Sequence, residues 1–180
     1  RSLTAINSRN NNPGNIRATG LEWAEKGKSN GGFETFSSPE FGYRAAAKNL
    51  YSSQDTHGNN TLTDIITRWA PASENKTQEY IDAVSKELGI GADDNLGSLK
   101  DNPTLTTNLL LAITKVEGGG MGKFTEEHAR NGVALAGDKK VAVGRQTTDH
   151  NPHLYTPELE TNNPTPVAQV VDPEVSSRLL

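Results

Sequence analysis

Among the carboxylates of this sequence, Glu117 stands where a proton donor would be most useful. It follows Ile113 by four positions, at the end of the apolar run Leu105, Leu109, Leu110, Ile113 and Val116, and Gly118-Gly119-Gly120 comes directly after it. A carboxyl group among apolar neighbours has its charged form destabilised, and the negative end of a helix dipole acts in the same direction. Both effects favour an acid that keeps its proton near neutrality, as general acid catalysis requires. Gly118 and Gly119 would also let a bulky polymer such as a sugar chain approach the backbone closely. A plainer reading stands beside this one, in which Glu117 faces solvent where the helix frays, and spacing alone leaves both open.

The remaining candidates are weighed in the same way. Glu34, near Phe33 and Phe36, is the second carboxylate to consider; it either faces a cleft or belongs to the exposed side of a strand. Glu40 has a structural task as third residue of a capping box begun by Ser37, and Glu74 precedes Asn75, an expected helix cap. Asn12-Pro13-Gly14-Asn15-Ile16-Arg17 forms a tight turn in which Pro presets its angle and Gly supplies a positive φ. Asn15 has a structural role there, whereas Arg17 either offers its guanidinium to a sugar or ties the turn to the body. Trp23 could stack on a saccharide ring or pack in the core, and Tyr80 could line a groove or pack on its helix. The histidines, His57, His128, His150 and His153, have no spacing that defines a metal site, and no cofactor fingerprint occurs.

Five helices are expected to position these groups. Pro39 to about Ser52 brings Tyr43, Ala46, Ala47 and Leu50 onto one face. Thr61 caps a second helix with Leu62, Ile65, Ile66 and Trp69 at core spacing, Trp69 being a core anchor, and Ala70-Pro71 ends it. A third spans about Lys76 to Leu88 and stops at Gly89. Asn102 and Pro103 open the apolar fourth helix, suited to a buried central position. A short fifth runs from about Glu126 to Asn131, with Thr125 as cap and Gly132 beyond it. Upstream, Leu21 to Trp23 and Phe33 to Phe36 suggest two short strands joined through Gly31-Gly32, with a bulge or early end because Phe33 and Phe36 cannot share a face. The fold class expected is mainly α (α+β), with a small N-terminal β element.

Composition limits the function further. With 180 residues, 33% hydrophobic, the chain supports one core and a tail. Five of its nine prolines, at 152, 157, 164, 166 and 173, fall in the last thirty positions, while nine of the ten aromatics lie between Trp23 and Phe124. This divides a domain at 1–144 from an extended, acidic, proline-spaced tail at 145–180, suited to wrapping a partner. A net charge of −4 argues against a nucleic-acid partner. No run approaches the roughly 18 apolar residues of a membrane span. Cysteine is absent, so thiol chemistry and disulfides are excluded. Arg1 in place of an initiator methionine suggests a processed or excised chain.

Taken as ordered blocks, Asn12-Pro13-Gly14-Asn15-Ile16-Arg17, then Gly32 to Ala45, then Arg68-Trp69-Ala70-Pro71 with Tyr80-Ile81, resemble a family of tailed-phage virion-associated proteins. Its members are structural proteins or lysozyme-like, peptidoglycan-degrading domains. The resemblance covers roughly residues 9 to 136. The block Ile113 to Gly119 is similar to the helix-end glutamate segment of lytic transglycosylases. The resemblance implies a lysozyme-like domain that cleaves peptidoglycan glycan strands during genome entry or release, located in the virion and acting in the bacterial cell envelope. Glu117 would be the acid, and the tail would bind other virion proteins. The alternative it carries is a non-enzymatic virion protein anchored through that tail; a glycan-binding module using Trp23 and Tyr80 is a third.

Overall fold

The computed structural model describes residues 4–71 and 76–137. Six α-helices follow in order: α1 (Ile6–Arg9), α2 (Pro39–Asp55), α3 (Leu62–Trp69), α4 (Thr77–Leu88), α5 (Pro103–Gly118) and α6 (Glu126–Ala136), with a 3-10 turn at Leu99–Asp101. The protein is mainly helical, and no helix among the described residues is long and apolar enough to cross a membrane. The expected tail at 145–180 lies wholly outside the described residues, as do Asn75, Glu74, His150 and His153.

Local chemistry sets the helix ends. Thr61 Oγ1 accepts from the Asp64 amide at 3.1 Å, and Asn102 Oδ1 accepts from the Leu105 amide at 3.0 Å with Pro103 in the first turn. Each such cap is worth about 1 kcal/mol. α4 and α5 end at Gly89 and Gly119, whose φ angles of 66° and 69° suit glycine. α5 is the central element: it touches α1, α2, α4, α6 and the 3-10 turn, and Leu109, Leu110 and Ile113 are completely enclosed. Burying each of these side chains stabilises the fold by about 1.5–3 kcal/mol.

Three expectations around α2, α3 and the core differ from the structure. The cap of α2 is Ser38 rather than Ser37, because the Ser37 hydroxyl is used on Glu25 Oε1 at 2.9 Å. Glu40 therefore falls outside the capping box, and lies buried instead with Oε2 4.0 Å from His128 Nε2. A capping box does form at α6, where Thr125 and His128 satisfy each other's backbone amides at 3.1 Å. Trp69 is half-buried at the edge of the core rather than its anchor.

The β element is reduced to isolated bridges. Gly31 and Gly32, at φ 63° and 84°, make a two-residue turn, closed by the Asn30–Phe33 pair. Beyond it, however, Arg17 pairs with Phe33 and Lys26 with Phe36, and Leu21 to Trp23 does not join a strand. The segment 17–36 is held by scattered backbone hydrogen bonds, such as Ala18 to Gly32 and Gly27 to Thr35, supplemented by side chains, rather than by a continuous ladder.

The fifth expected helix also continues through Gly132 to Ala136. Gly132 is a packing device here: a Cβ at that position would strike Tyr43 Cβ, the Glu40 carbonyl oxygen and the Arg44 amide nitrogen. The close contact of α2 with α6 depends on its absence. Alanine would gain about 1 kcal/mol of helix propensity, but two of its obstacles are backbone atoms that cannot turn aside, and overpacking of this kind costs about 1–3 kcal/mol or more. Gly132→Ala is expected to be a net destabilisation, read as a lower midpoint in urea unfolding with little change in slope.

Candidate functional site

Glu117 occupies the last turn of α5, half-buried. The helix cannot continue past it, since Gly119 turns left-handed and Gly120 follows at φ 144°, with their amides directed back to the Lys115 carbonyl. The carboxyl does not hang in solvent. Oε1 accepts from Asn15 Nδ2 at 2.9 Å, and Oε2 accepts from the Tyr80 hydroxyl at 2.9 Å. Tyr80 comes from the first turn of α4 and is itself buried. Burial above all, then the charge of Glu117 and their hydrogen bond, raises the Tyr80 phenol well above its usual range, so it remains a proton donor to Glu117 at any ordinary pH.

Asn15 reaches Glu117 from the turn between α1 and Ile16. This turn is assembled around Asn12, whose side chain is fully buried: Oδ1 accepts from the Ile16 amide, and Nδ2 donates to the carbonyls of Ile16 and Glu34, all at 2.9 Å. The positive φ expected of Gly14 belongs instead to Asn11 and Asn15, at 52° and 51°, which asparagine tolerates better than most residues. Gly14 serves a different purpose. A Cβ there would run into the Trp69 ring, and Trp69 Nε1 donates to the Gly14 carbonyl at 2.9 Å. Gly42 of α2 makes room in the same way for the Asn11 carbonyl and Pro13 ring.

The other candidates lie elsewhere. Glu34 is almost completely buried, with Oε1 4.0 Å from Lys26 Nζ. Its carboxyl meets Lys26 and the Thr19 backbone rather than Asn15 or Tyr80. Trp23 packs half-buried against the core from the same loop, its indole N–H enclosed without an acceptor. Arg17 is exposed, its guanidinium 5.1 Å from the centre of the Phe33 ring. Gly118 lies against the Asn7 side chain, while Gly119 is exposed with open space around it. Tyr80 therefore faces the glutamate and not an open groove. Among the described residues no group of three or more His, Asp or Glu could hold a metal ion.

A surface groove of about 480 Å³ runs past Glu87, Leu88, Asn108, Leu111, Lys115 and Met121. Asn108, Leu111 and Lys115 share one helical face, and Glu117 lies roughly 200° around the axis from Lys115. The groove is therefore no part of the Glu117 site. The Lys115–Glu87 pair at 2.6 Å spans exposed side chains and adds little stability.

Sequence reasoning passed over Asn15 as a partner of Glu117 and Trp69 as a clamp on Gly14. The signal for both was the asparagine-rich turn itself, since a run of Asn-Asn-Pro-Gly-Asn supplies left-handed positions and carboxamides together.

No protein-family model matches the chain. It is 37% identical over 93 residues to Protein P5 of Pseudoalteromonas phage PM2, a match that takes in 49% of this chain and 58% of that protein. The chain thus spans little more than half the length of this relative. The similarity connects it to a phage protein.

Burial of Glu34 predicts a pH effect. Desolvation, partly opposed by Lys26, raises its carboxyl above the ordinary 4.5. The folded protein therefore holds this proton more tightly than the unfolded chain, so the stability tied to it is complete below pH 4.5 and is lost as pH rises through the folded value. Glu34→Gln, which stays neutral, should gain stability relative to the parent as pH rises from about 4.5 toward neutrality, after which the gap stays constant. Urea midpoints across that range check it.

Proposed function

We propose that the chain is a phage virion-associated protein whose lysozyme-like domain, residues 1–144, cleaves peptidoglycan glycan strands with Glu117 as the acid. The observation that carries this reading is the placement of one carboxyl at a glycine-ended helix terminus, held by Asn15 and Tyr80 with the backbone of Gly119 open beside it. A proton taken up by Glu117 from solvent would pass to the glycosidic oxygen as the C1–O bond breaks. Because the Glu34 carboxyl is enclosed beneath Lys26, the reading favours a lytic transglycosylase, in which the muramic acid's own 6-hydroxyl closes on C1 and its proton returns to Glu117. Hydrolysis would want a second carboxylate about 5–9.5 Å away. Trp23, Arg17, Gly118 and Gly119 would lie along the glycan, and residues 145–180 would bind other virion proteins. The similarity to a phage protein supports the virion setting.

One observation favours a second reading. Both Glu117 oxygens are engaged by protein donors 102 and 37 positions away in sequence, as they would be if the carboxylate were a brace in a non-enzymatic virion component. The two readings part on Glu117→Gln. Glutamine has the shape of glutamate and can still accept one of the two hydrogen bonds, so it keeps most of the brace while removing the transferable proton. An acid role predicts release of anhydro-muropeptides from purified sacculi by the parent, detected by mass, and a loss of at least about 100-fold in the variant with its melting temperature nearly unchanged. No release by the parent, with a clear drop in the melting temperature of Glu117→Ala, supports the brace.

A further inference from the structure

The Gly14–Asn15 peptide is held from both sides. Its carbonyl oxygen receives the Trp69 indole N–H at 2.9 Å, and its N–H donates to the Asn12 carbonyl at 3.0 Å. A peptide unit is planar, so fixing its oxygen and its nitrogen fixes the plane. That plane sets the left-handed Asn15, at φ 51°, and hence the direction in which its carboxamide reaches Glu117 Oε1. Gly14 is not among the glycines with positive φ; its lack of a side chain lets the Trp69 ring close over the peptide. Trp69 also ends α3 next to Ala70, whose carbonyl accepts from Thr77 Oγ1 at 2.7 Å in the first turn of α4, the helix that carries Tyr80. One indole thus stands behind one holder of the carboxyl and beside the element that supplies the other.

We propose that Trp69 is a positioning residue for Glu117, acting through the Gly14–Asn15 peptide. The proposal rests on Glu117 as the working acid for its effect on turnover, but not for its effect on Asn15. Trp69→Phe removes the indole N–H and keeps most of the ring; Asn15→Gly removes the carboxamide and keeps a residue at ease with positive φ. Losing one such hydrogen bond corresponds to about a three- to tenfold change.

The test combines these variants with the double variant. The side-chain amide resonances of Asn15 are recorded by NMR on the free proteins, and soluble glycan released from purified sacculi is measured alongside. Trp69→Phe is expected to shift the Asn15 side-chain signals and speed their exchange with solvent. It should slow glycan release about three- to tenfold without weakening co-sedimentation with sacculi. The double variant should be no slower than Asn15→Gly alone, because the indole has nothing left to position. Unchanged Asn15 signals in Trp69→Phe overturn the proposal, and so does a double variant whose loss is the product of the two single losses. If the parent releases no glycan, the reading of Glu117 as an acid fails by itself, and the Asn15 signals alone decide for or against the clamp.

Discussion

The Glu117 end of α5 depends on the carboxamide of Asn12. Buried without access to water, this side chain must find its hydrogen bonds inside the protein, and three come from backbone groups of Ile16 and Glu34. Those bonds close the turn and fasten the 17–36 loop to it. Asn15 can present its amide to Glu117 only because the turn around it is already rigid. An aspartate at position 12 could accept from Ile16 but could not donate to the two carbonyls, and it would bring a buried charge as well. The carboxyl at position 117 is thus held by a turn formed a hundred residues earlier in the chain.

Much of the scaffold was legible from residue order. The α3 cap at Thr61, the Asn102-Pro103 start of α5 and the stop at Gly89 follow from local rules, and α5 ends within the Gly118-Gly119-Gly120 run. The misjudged elements are those in which a distant group outweighed a local preference. Gly132 would end a helix in isolation, yet it lies inside α6 because α2 presses against it. Ser37 has the sequence position of a cap, yet Glu25 takes its hydroxyl. The strand pattern at 21–23 was overridden by bridges from Arg17 and Lys26.

The site was legible in part and for an instructive reason. Helical spacing placed Glu117 at the end of α5, because that depends only on α5, but it led to an apolar setting where the carboxyl meets two polar donors. Its two partners come from a turn and from another helix, and no periodicity within either segment points at position 117. Glu34 shows the reverse. Its neighbours Phe33 and Phe36 hinted at a half-buried strand, but only the folded loop reveals Lys26 above the carboxyl.

The Asn15–Glu117 hydrogen bond joins positions 102 apart, and this span governs when the arrangement can exist. Closing so long a loop is entropically expensive, and long-range contacts of this kind form late in folding. During synthesis the amino-terminal turn leaves the ribosome well before α5 has been translated. A nascent or truncated chain lacking α5 would present Asn15 with nothing to hold. The arrangement comes into being only when the whole helical body has closed, which ties any activity at Glu117 to the completed molecule.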